Sequence, residues 1–370
     1  MCVQLDFSSY NMAMYIKKAN TKLTNKWNNY NTCQINTMEN IRINKVQKAA
    51  FELIQSDARF LNTIIDINTN AKNIDSNFLM MCQPYIGIFA DGAEQWCRKM
   101  GLAAPVFNKK EKTYYSSLRQ GHKLFEKSYN DYTKALMHRF YKSDNYFFRI
   151  SGLRKNAYYN VGTDICNGEF CGNTILCALH TPIDDFEDKN SGDFISEMGV
   201  IVGKLAAYLG CRNFPPYNYD DINNIVIYKD YHFYHNCPLV LKNDVGFVLF
   251  SILCNINYAI KFVENYFVEN IPQKFKFAYL QYYYLCDFIR EMNELLNTKL
   301  ELNSSLKNRN IRNCLAHYGL GQFMKETDID KEDILKGITV KAFNMEYYHC
   351  KELLYDYLNK LAIQIKYKIF

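Results

Sequence analysis

Three residues towards the C-terminal end of the chain have side chains that can act on a phosphate group. Arg312, Asn313 and His317 lie in the run IRNCLAHY, which spans positions 311 to 318. An arginine can hold two phosphate oxygens at once. A histidine can accept or donate a proton near neutral pH, because its ordinary pKa is about 6.5. The run therefore predicts a phosphate-binding site that contains a titratable group.

The spacing in this run also predicts how a helix would carry the three residues. Apolar residues at positions i, i+3, i+4 and i+7 would form one core-facing stripe: Ile311, Cys314, Leu315 and Tyr318. The polar residues then point outward. Asn313 and His317 lie about one turn apart on the same side, whereas Arg312 lies roughly 140° round the helix from His317. We therefore expect Arg312 and His317 to splay apart.

The polar residues of the run resemble the R-x4-6-H motif of the HEPN superfamily (higher eukaryote and prokaryote nucleotide-binding domains), in its RNxxxH form. HEPN proteins carry this motif near the end of an all-helical bundle, after two long antiparallel helices. The resemblance covers residues 191–370. It implies a metal-independent endoribonuclease without a cofactor, in which attack by the RNA 2′-OH leaves 2′,3′-cyclic phosphate and 5′-OH ends. In that frame Arg312, Asn313 and His317 are the catalytic residues.

Each motif residue has an expected role in this chemistry. His317 would act as general base or acid, and Arg312 would hold the non-bridging phosphate oxygens. Asn313 would orient the imidazole or the phosphate. Three neighbours are expected to contact the RNA, which would be single-stranded RNA or tRNA: Lys307, Arg309 and Tyr318.

A single histidine cannot easily serve as both base and acid on opposite sides of one phosphate. Two facing copies of the motif would solve this difficulty, and HEPN ribonucleases pair two motifs by dimerisation or within one chain. We find no second copy in the first 190 residues, because His122 follows Arg119 by only three positions and His138 has no arginine five positions before it. The sequence therefore predicts a homodimer formed through the C-terminal bundle.

The resemblance also suggests a biological setting in microbial antiviral defence. Abortive infection, toxin–antitoxin pairs and CRISPR-associated systems all use such nucleases, so an antitoxin, a guide RNA or an activator is an expected partner. Two other functions stay open. One is a non-catalytic RNA- or nucleotide-binding HEPN module in which Arg312 only holds a phosphate, and the other is a helical scaffold protein.

Hydrophobic periodicity predicts a mainly α fold in two domains. A mostly helical N-terminal domain would occupy residues 1–190, and the HEPN-like helical bundle would occupy 191–370, with a polar, turn-rich run at 181–193 between them. Helices are expected at 38–67, 111–141, 194–210, 244–269, 272–300 and 341–366, besides the motif helix. The dipeptides at 83–84, 91–92 and 104–105 are expected to break the intervening chain into shorter pieces.

A basic stretch in the N-terminal half has two interpretations. Residues 108–112 read NKKEK, and Tyr114, Tyr115 and Arg119 follow. Interleaved basic and aromatic residues can follow a single-stranded nucleic acid through phosphate contacts and base stacking. The simpler interpretation, which we favour, is a solvated helix start with core aromatic residues behind it.

Composition places few further limits on function. The net charge of +6 permits a nucleic-acid partner without requiring one. The cysteine count is thirteen, an odd number, and the first residues show no secretory pattern, so we expect reduced thiols in a cytoplasmic protein. The most apolar window, at 245–263, contains polar residues and is expected to be a buried helix rather than a membrane span.

One thiol-rich stretch contains the soft ligands that zinc prefers: Cys166, Cys171, Cys177 and His180. Their spacing matches no common zinc module, and cysteines are frequent in protein cores. We therefore favour a buried helix or strand here, with a zinc site as the alternative.

Overall fold

The computed structural model describes residues 43–70, 81–102, 104–121, 123–151, 161–180, 191–209, 226–231, 233, 237–267, 270–330 and 333–370. The fold in these ranges is mainly α, as the sequence predicts. The N-terminal helices are α1 (Lys45–Asn70), α2 (Gln83–Lys99), α3 (Lys109–Gly121), α4 (Tyr129–Ser151), α5 (Thr174–His180) and α6 (Ser191–Tyr208). The C-terminal helices are α7 (Asp244–Tyr266), α8 (Pro272–Leu296), α9 (Arg309–His317), α10 (Ile334–Phe343) and α11 (Tyr347–Ile369).

Two of the expected long helices are each divided in the structure. The expected helix at 111–141 consists of α3, a 3-10 turn at Leu124–Glu126, and α4. Helix α4 has its own start, because the hydroxyl of Ser128 accepts a hydrogen bond from the amide of Asp131 at 3.1 Å. The expected helix at 341–366 consists of the end of α10 and most of α11. Asn344, with φ of 52°, ends α10 in the left-handed conformation.

A small antiparallel sheet, in the order β2-β1-β3, packs beside α7. Its strands are β1 (Val161–Cys166), β2 (Glu169–Asn173) and β3 (Val226–Tyr231). A sheet is not among the elements that the sequence predicts, apart from the buried strand considered for the thiol-rich stretch. The turn between β1 and β2 is formed by Asn167 and Gly168, both with positive φ, which is the residue pair that such a hairpin favours.

The four residues of the zinc alternative lie in and beside the sheet. Cys166 ends β1, Cys171 lies in β2, and Cys177 and His180 lie in α5, all of them buried. No group of three or more His, Cys, Asp or Glu side chains in the described ranges is arranged to hold a metal ion. The structure therefore supports the buried strand and helix. The ten cysteines of the described ranges are all buried free thiols.

Helix α7 contains the most apolar window of the chain. It begins at a cap in which Asn243 accepts a hydrogen bond from the amide of Gly246 at 2.9 Å, and residues Tyr258–Val263 form π-helical turns. By length and composition α7 could cross a membrane, but 89% of its apolar window is buried inside the protein. That burial is typical of a core helix.

The buried side chains form one hydrophobic core that includes residues from both sides of position 190. Helix α1 packs against α8, and α2 packs against α9. A buried polar contact joins the same parts, because the Gln273 side-chain amide donates to Asp57 at 2.8 Å. The division into 1–190 and 191–370 therefore does not separate two hydrophobic cores.

Candidate active site

The start of the motif helix α9 is fixed by hydrogen bonds from two directions. Asn308 caps the helix, as its side-chain oxygen accepts the amides of Asn310 at 2.8 Å and Ile311 at 3.4 Å. The buried Tyr279 of α8 holds the preceding loop, since its hydroxyl donates to the carbonyl of Leu306 at 2.8 Å and accepts the amide of Asn308 at 3.0 Å. The first turn of α9 is therefore held in place before any ligand binds.

The end of α9 depends on Tyr318 rather than on the glycines that follow it. Tyr318 adopts the left-handed conformation, with φ of 50° and ψ of 31°, and its ring is buried. Its hydroxyl donates to the Asp57 carboxylate, and the Lys276 ammonium lies 4.7 Å from its ring centroid. These contacts offset the cost of about 1–2 kcal/mol that a left-handed non-glycine residue carries. The expectation that Tyr318 contacts RNA is therefore wrong, because its ring packs in the core.

Arg312 and His317 are in contact, so the expectation that they splay apart is also wrong. The Arg312 Nη1 atom lies 3.4 Å from the His317 Nε2 atom. A side chain as long as arginine spans the angular gap around the helix. The Arg312 guanidinium also lies 5.4 Å from the ring centroid of Tyr283 and 6.0 Å from that of Tyr284. Its Nε atom is buried and has no hydrogen-bond partner among the described residues.

Surrounding cations and burial keep the imidazole neutral. The pKa of His317 falls from 6.5 to about 4, first because of burial and then because of Arg119, Arg312, Lys123 and Lys276. A guanidinium can only donate hydrogen bonds, so the neutral imidazole accepts from Arg312 at Nε2 and carries its own proton on Nδ1. The nitrogen that would take a proton in catalysis is therefore occupied in the free protein.

Asn313 is half-buried on the turn before His317. Its backbone carbonyl accepts the amide of Tyr318 and so helps to end α9. Among the described residues its side chain makes no hydrogen bond to the imidazole. The group that contacts the imidazole is Arg312 instead.

The two other predicted RNA contacts lie at the outer edge of the site. Lys307 forms an ion pair with Asp287 at 2.5 Å, and its ammonium lies 5.4 Å from the Tyr283 ring centroid. Tyr283 thus has two cations close to its ring, Lys307 and Arg312. Arg309, the first residue of α9, is exposed. The structure brings Lys307 close to the motif and leaves Arg309 on the surface.

Sequence reasoning missed the cations that the N-terminal half places near His317. In the sequence Arg119 only ends a basic stretch and precedes His122 by three positions, and no pattern marks Lys123. In that stretch the Tyr115 ring is buried and its hydroxyl donates to Glu94, as the interpretation with core aromatic residues predicts. The tyrosine run at 282–284 was the available signal for the aromatic contacts of Arg312.

Comparisons of this chain with family models, with curated proteins and with solved structures found no match. The HEPN resemblance therefore rests on the motif and on the helices that carry it.

Proposed function

We propose that this protein is a metal-independent endoribonuclease of the HEPN type. The observation that carries the proposal is the contact between the Arg312 guanidinium and the His317 imidazole, on a short helix whose two ends are anchored in the core. A phosphate binder and a proton acceptor are thereby held at one place among further cations. This pairing suits the cleavage of a phosphodiester by its own 2′-OH.

The proposed reaction is a transesterification within the RNA. Nε2 of His317 takes the proton of the 2′-OH, the bond from O2′ to phosphorus forms, and the bond from phosphorus to O5′ breaks. Arg312 stabilises the negative charge that develops on the non-bridging oxygens. The products are a 2′,3′-cyclic phosphate and, after the leaving oxygen gains a proton, a 5′-OH.

Arg312 also controls when the base becomes available. In the free protein its guanidinium occupies Nε2 of His317. A bound phosphate competes for the guanidinium, because a charge-assisted bidentate contact is stronger than a donor–acceptor contact of 3.4 Å to a neutral ring. The negative phosphate also raises the pKa of the imidazole. Substrate binding thus releases Nε2 of His317 from Arg312 and makes the imidazole a stronger base.

The leaving O5′ atom needs a proton from a group on the opposite side of the phosphate. We propose that a second copy of the chain supplies an imidazole there, through the C-terminal bundle. A composite site of this kind gives a cleavage rate per chain that rises with protein concentration until the dimer is saturated. A rate per chain that is constant across the dilution series would contradict the dimer and assign this proton to water.

One observation favours a second candidate, a non-catalytic RNA-binding module. A pKa of about 4 makes His317 a weak base in the free protein. If bound RNA does not raise this pKa, Arg312 and its neighbours can hold a phosphate without cleaving it. The two candidate functions are distinguished by the RNA ends, because only the ribonuclease leaves a 2′,3′-cyclic phosphate.

The deciding experiment is cleavage of labelled tRNA and of a mixed-sequence single-stranded RNA in EDTA. His317→Ala is compared with His349→Ala, since His349 is an exposed histidine on α11. We expect wild type and His349→Ala to produce cyclic phosphate ends and His317→Ala to produce none. Equal cleavage by all three proteins would refute the assignment of His317. Binding without cleavage by all three would favour the RNA-binding module.

A further inference from the structure

The motif faces a second set of cations that come from the other half of the chain. Arg119 is near the end of α3, and Lys123 directly precedes the 3-10 turn that follows it. Their side chains are 29% and 30% exposed, so each is partly open to solvent. Both cations lower the pKa of His317, and Arg119 does so more than Arg312. The α3 end also lies beside the motif by contact, because Arg119 pairs with Asp91 and the next residue of α2, Gly92, packs against the ring of Tyr318.

Helix α2 brings the two parts together through two glycines. A side chain at Gly87 would collide with the backbone of Arg119, and a side chain at Gly92 would collide with the ring of Tyr318. Helix α2 therefore touches α3 at Arg119 and also touches the residue that ends the motif helix. Helix α2 is continuous at positions 91–92, where the dipeptide predicts a break. The glycine at 92 serves close packing against the motif.

Arg119 and Lys123 are each paired with a carboxylate that a phosphate could replace. Arg119 Nη1 lies 2.7 Å from Asp91 Oδ2, and the same carboxylate oxygen accepts the Gln95 side-chain amide at 2.7 Å. Lys123 Nζ lies 3.2 Å from Glu126 Oε2. Both pairs are partly exposed to solvent, so each stabilises the fold only weakly. A phosphate can exchange with them at little cost.

We propose that Arg119 and Lys123 complete, within a single chain, a binding site for an RNA phosphodiester beside Arg312 and His317. The inference rests on the proposed function for the identity of the ligand. Arg119 contributes a bidentate phosphate contact and Lys123 a point charge. The charge on the phosphate is then balanced without a partner subunit, and a dimer is needed only for the proton of the leaving group.

Two variants with opposite expected effects test this site. The probe is a fluorescent single-stranded RNA with 2′-O-methyl groups, which lacks the nucleophile and so reports binding alone. Arg119→Met should weaken binding at least about tenfold, and the slope of log affinity against log salt should become shallower by about 0.7. Asp91→Asn removes the carboxylate that competes for Arg119, so it should tighten binding at low salt by about threefold. A purely structural ion pair would instead make both variants weaker.

The matched control is Arg98→Met, because Arg98 is a 63% exposed arginine that pairs with Glu94 on α2. We expect this variant to bind as wild type does. Equal affinities for Arg119→Met and Arg98→Met would overturn the inference. If Arg119→Met does not fold, Asp91→Asn decides, and an affinity no tighter than that of wild type overturns the inference.

The cleavage assay separates this inference from the proposed function. Wild type that binds the 2′-O-methyl RNA through Arg119 but cleaves no unmodified RNA would support the site and refute the nuclease. Wild type that cleaves RNA with no dependence on Arg119 would support the nuclease and refute the site.

Discussion

Removing Arg312, the cation that contacts the His317 imidazole, should change the protonation of that histidine. Replacing Arg312 by methionine keeps much of the side-chain volume and deletes the charge whose Nη1 atom lies 3.4 Å from the imidazole. The pKa of His317 should then rise from about 4. It should stay below 6.5, because burial and the cations Arg119, Lys123 and Lys276 remain.

The size of the rise follows from Coulomb's law. Two unit charges ~4 Å apart interact with ~1 kcal/mol in water and with ~2 kcal/mol at a dielectric constant of ~40. Since one pH unit corresponds to about 1.36 kcal/mol, the pKa of His317 should rise by ~0.7–1.5 in Arg312→Met. We expect the lower part of this range, because burial and Arg119 each lower the pKa of His317 more than Arg312 does.

The assay is an NMR titration of the histidine ring protons between pH 3 and pH 8. The chain has seven histidines, and the His317 signal is the one that disappears in His317→Asn. Arg98→Met serves as the control for a general loss of one positive charge. A wild-type pKa near 6.5, or a pKa that is the same in Arg312→Met and wild type, would refute the electrostatic account of this site.

The same titration connects protonation to function. Adding the 2′-O-methyl RNA to wild type should raise the pKa of His317, because the phosphate brings negative charge and displaces Arg312. The pH profile of kcat/KM reports the free enzyme, so its acidic limb should lie near pH 4. The pH profile of kcat reports the enzyme–RNA complex, so its acidic limb should lie at higher pH. Two identical limbs would contradict substrate-driven activation of the base.

Three further predictions concern the parts that position the site. Asp57→Ala leaves the buried Lys276 ammonium without its carboxylate, so the free energy of unfolding in a urea titration should fall by about 3–5 kcal/mol. A second substitution in this variant, Lys276→Met, should restore part of the stability. A loss below about 1 kcal/mol in Asp57→Ala would contradict a buried pair. Gly87→Ala should lower the melting temperature because its methyl group meets the α3 backbone, whereas Gly199→Ala, in open space on α6, should leave it unchanged or raise it. Finally, the pKa of His317 is lower in the folded state than in the unfolded state, so the unfolded state binds a proton first as the pH falls from about 6.5 towards 4. The free energy of unfolding of wild type should therefore fall over this window relative to that of His317→Asn. Parallel curves of this free energy against pH would refute the lowered pKa.

Local patterns determined much of the structure around the motif. The apolar stripe of α9 is buried, as the spacing of the run predicts. The helices expected at 194–210, 244–269 and 272–300 correspond to α6, α7 and α8. These features depend on the helical repeat and on the chemistry of a few consecutive residues, so the sequence contains them directly.

Helix ends were harder to predict where a distant residue decides them. Helix α9 ends at Tyr318 in the left-handed conformation, which is compensated by Asp57 and Lys276 from other helices. Similarly, Gly92 looked like a turn signal and lies inside α2, because its lack of a side chain admits the Tyr318 ring. Local propensity cannot predict such positions, since the compensating partner lies far away in the sequence.

By itself, then, the sequence determined a mainly α protein and a motif helix that carries an arginine and a histidine. Only the tertiary structure decided how that pair behaves. The contact between Arg312 and His317 depends on a side-chain conformation beneath aromatic neighbours. The low pKa of His317 depends on burial and on Arg119 and Lys123 from the other half of the chain. Desolvation and Coulomb energies depend on distances in space, and a helical pattern does not encode those distances.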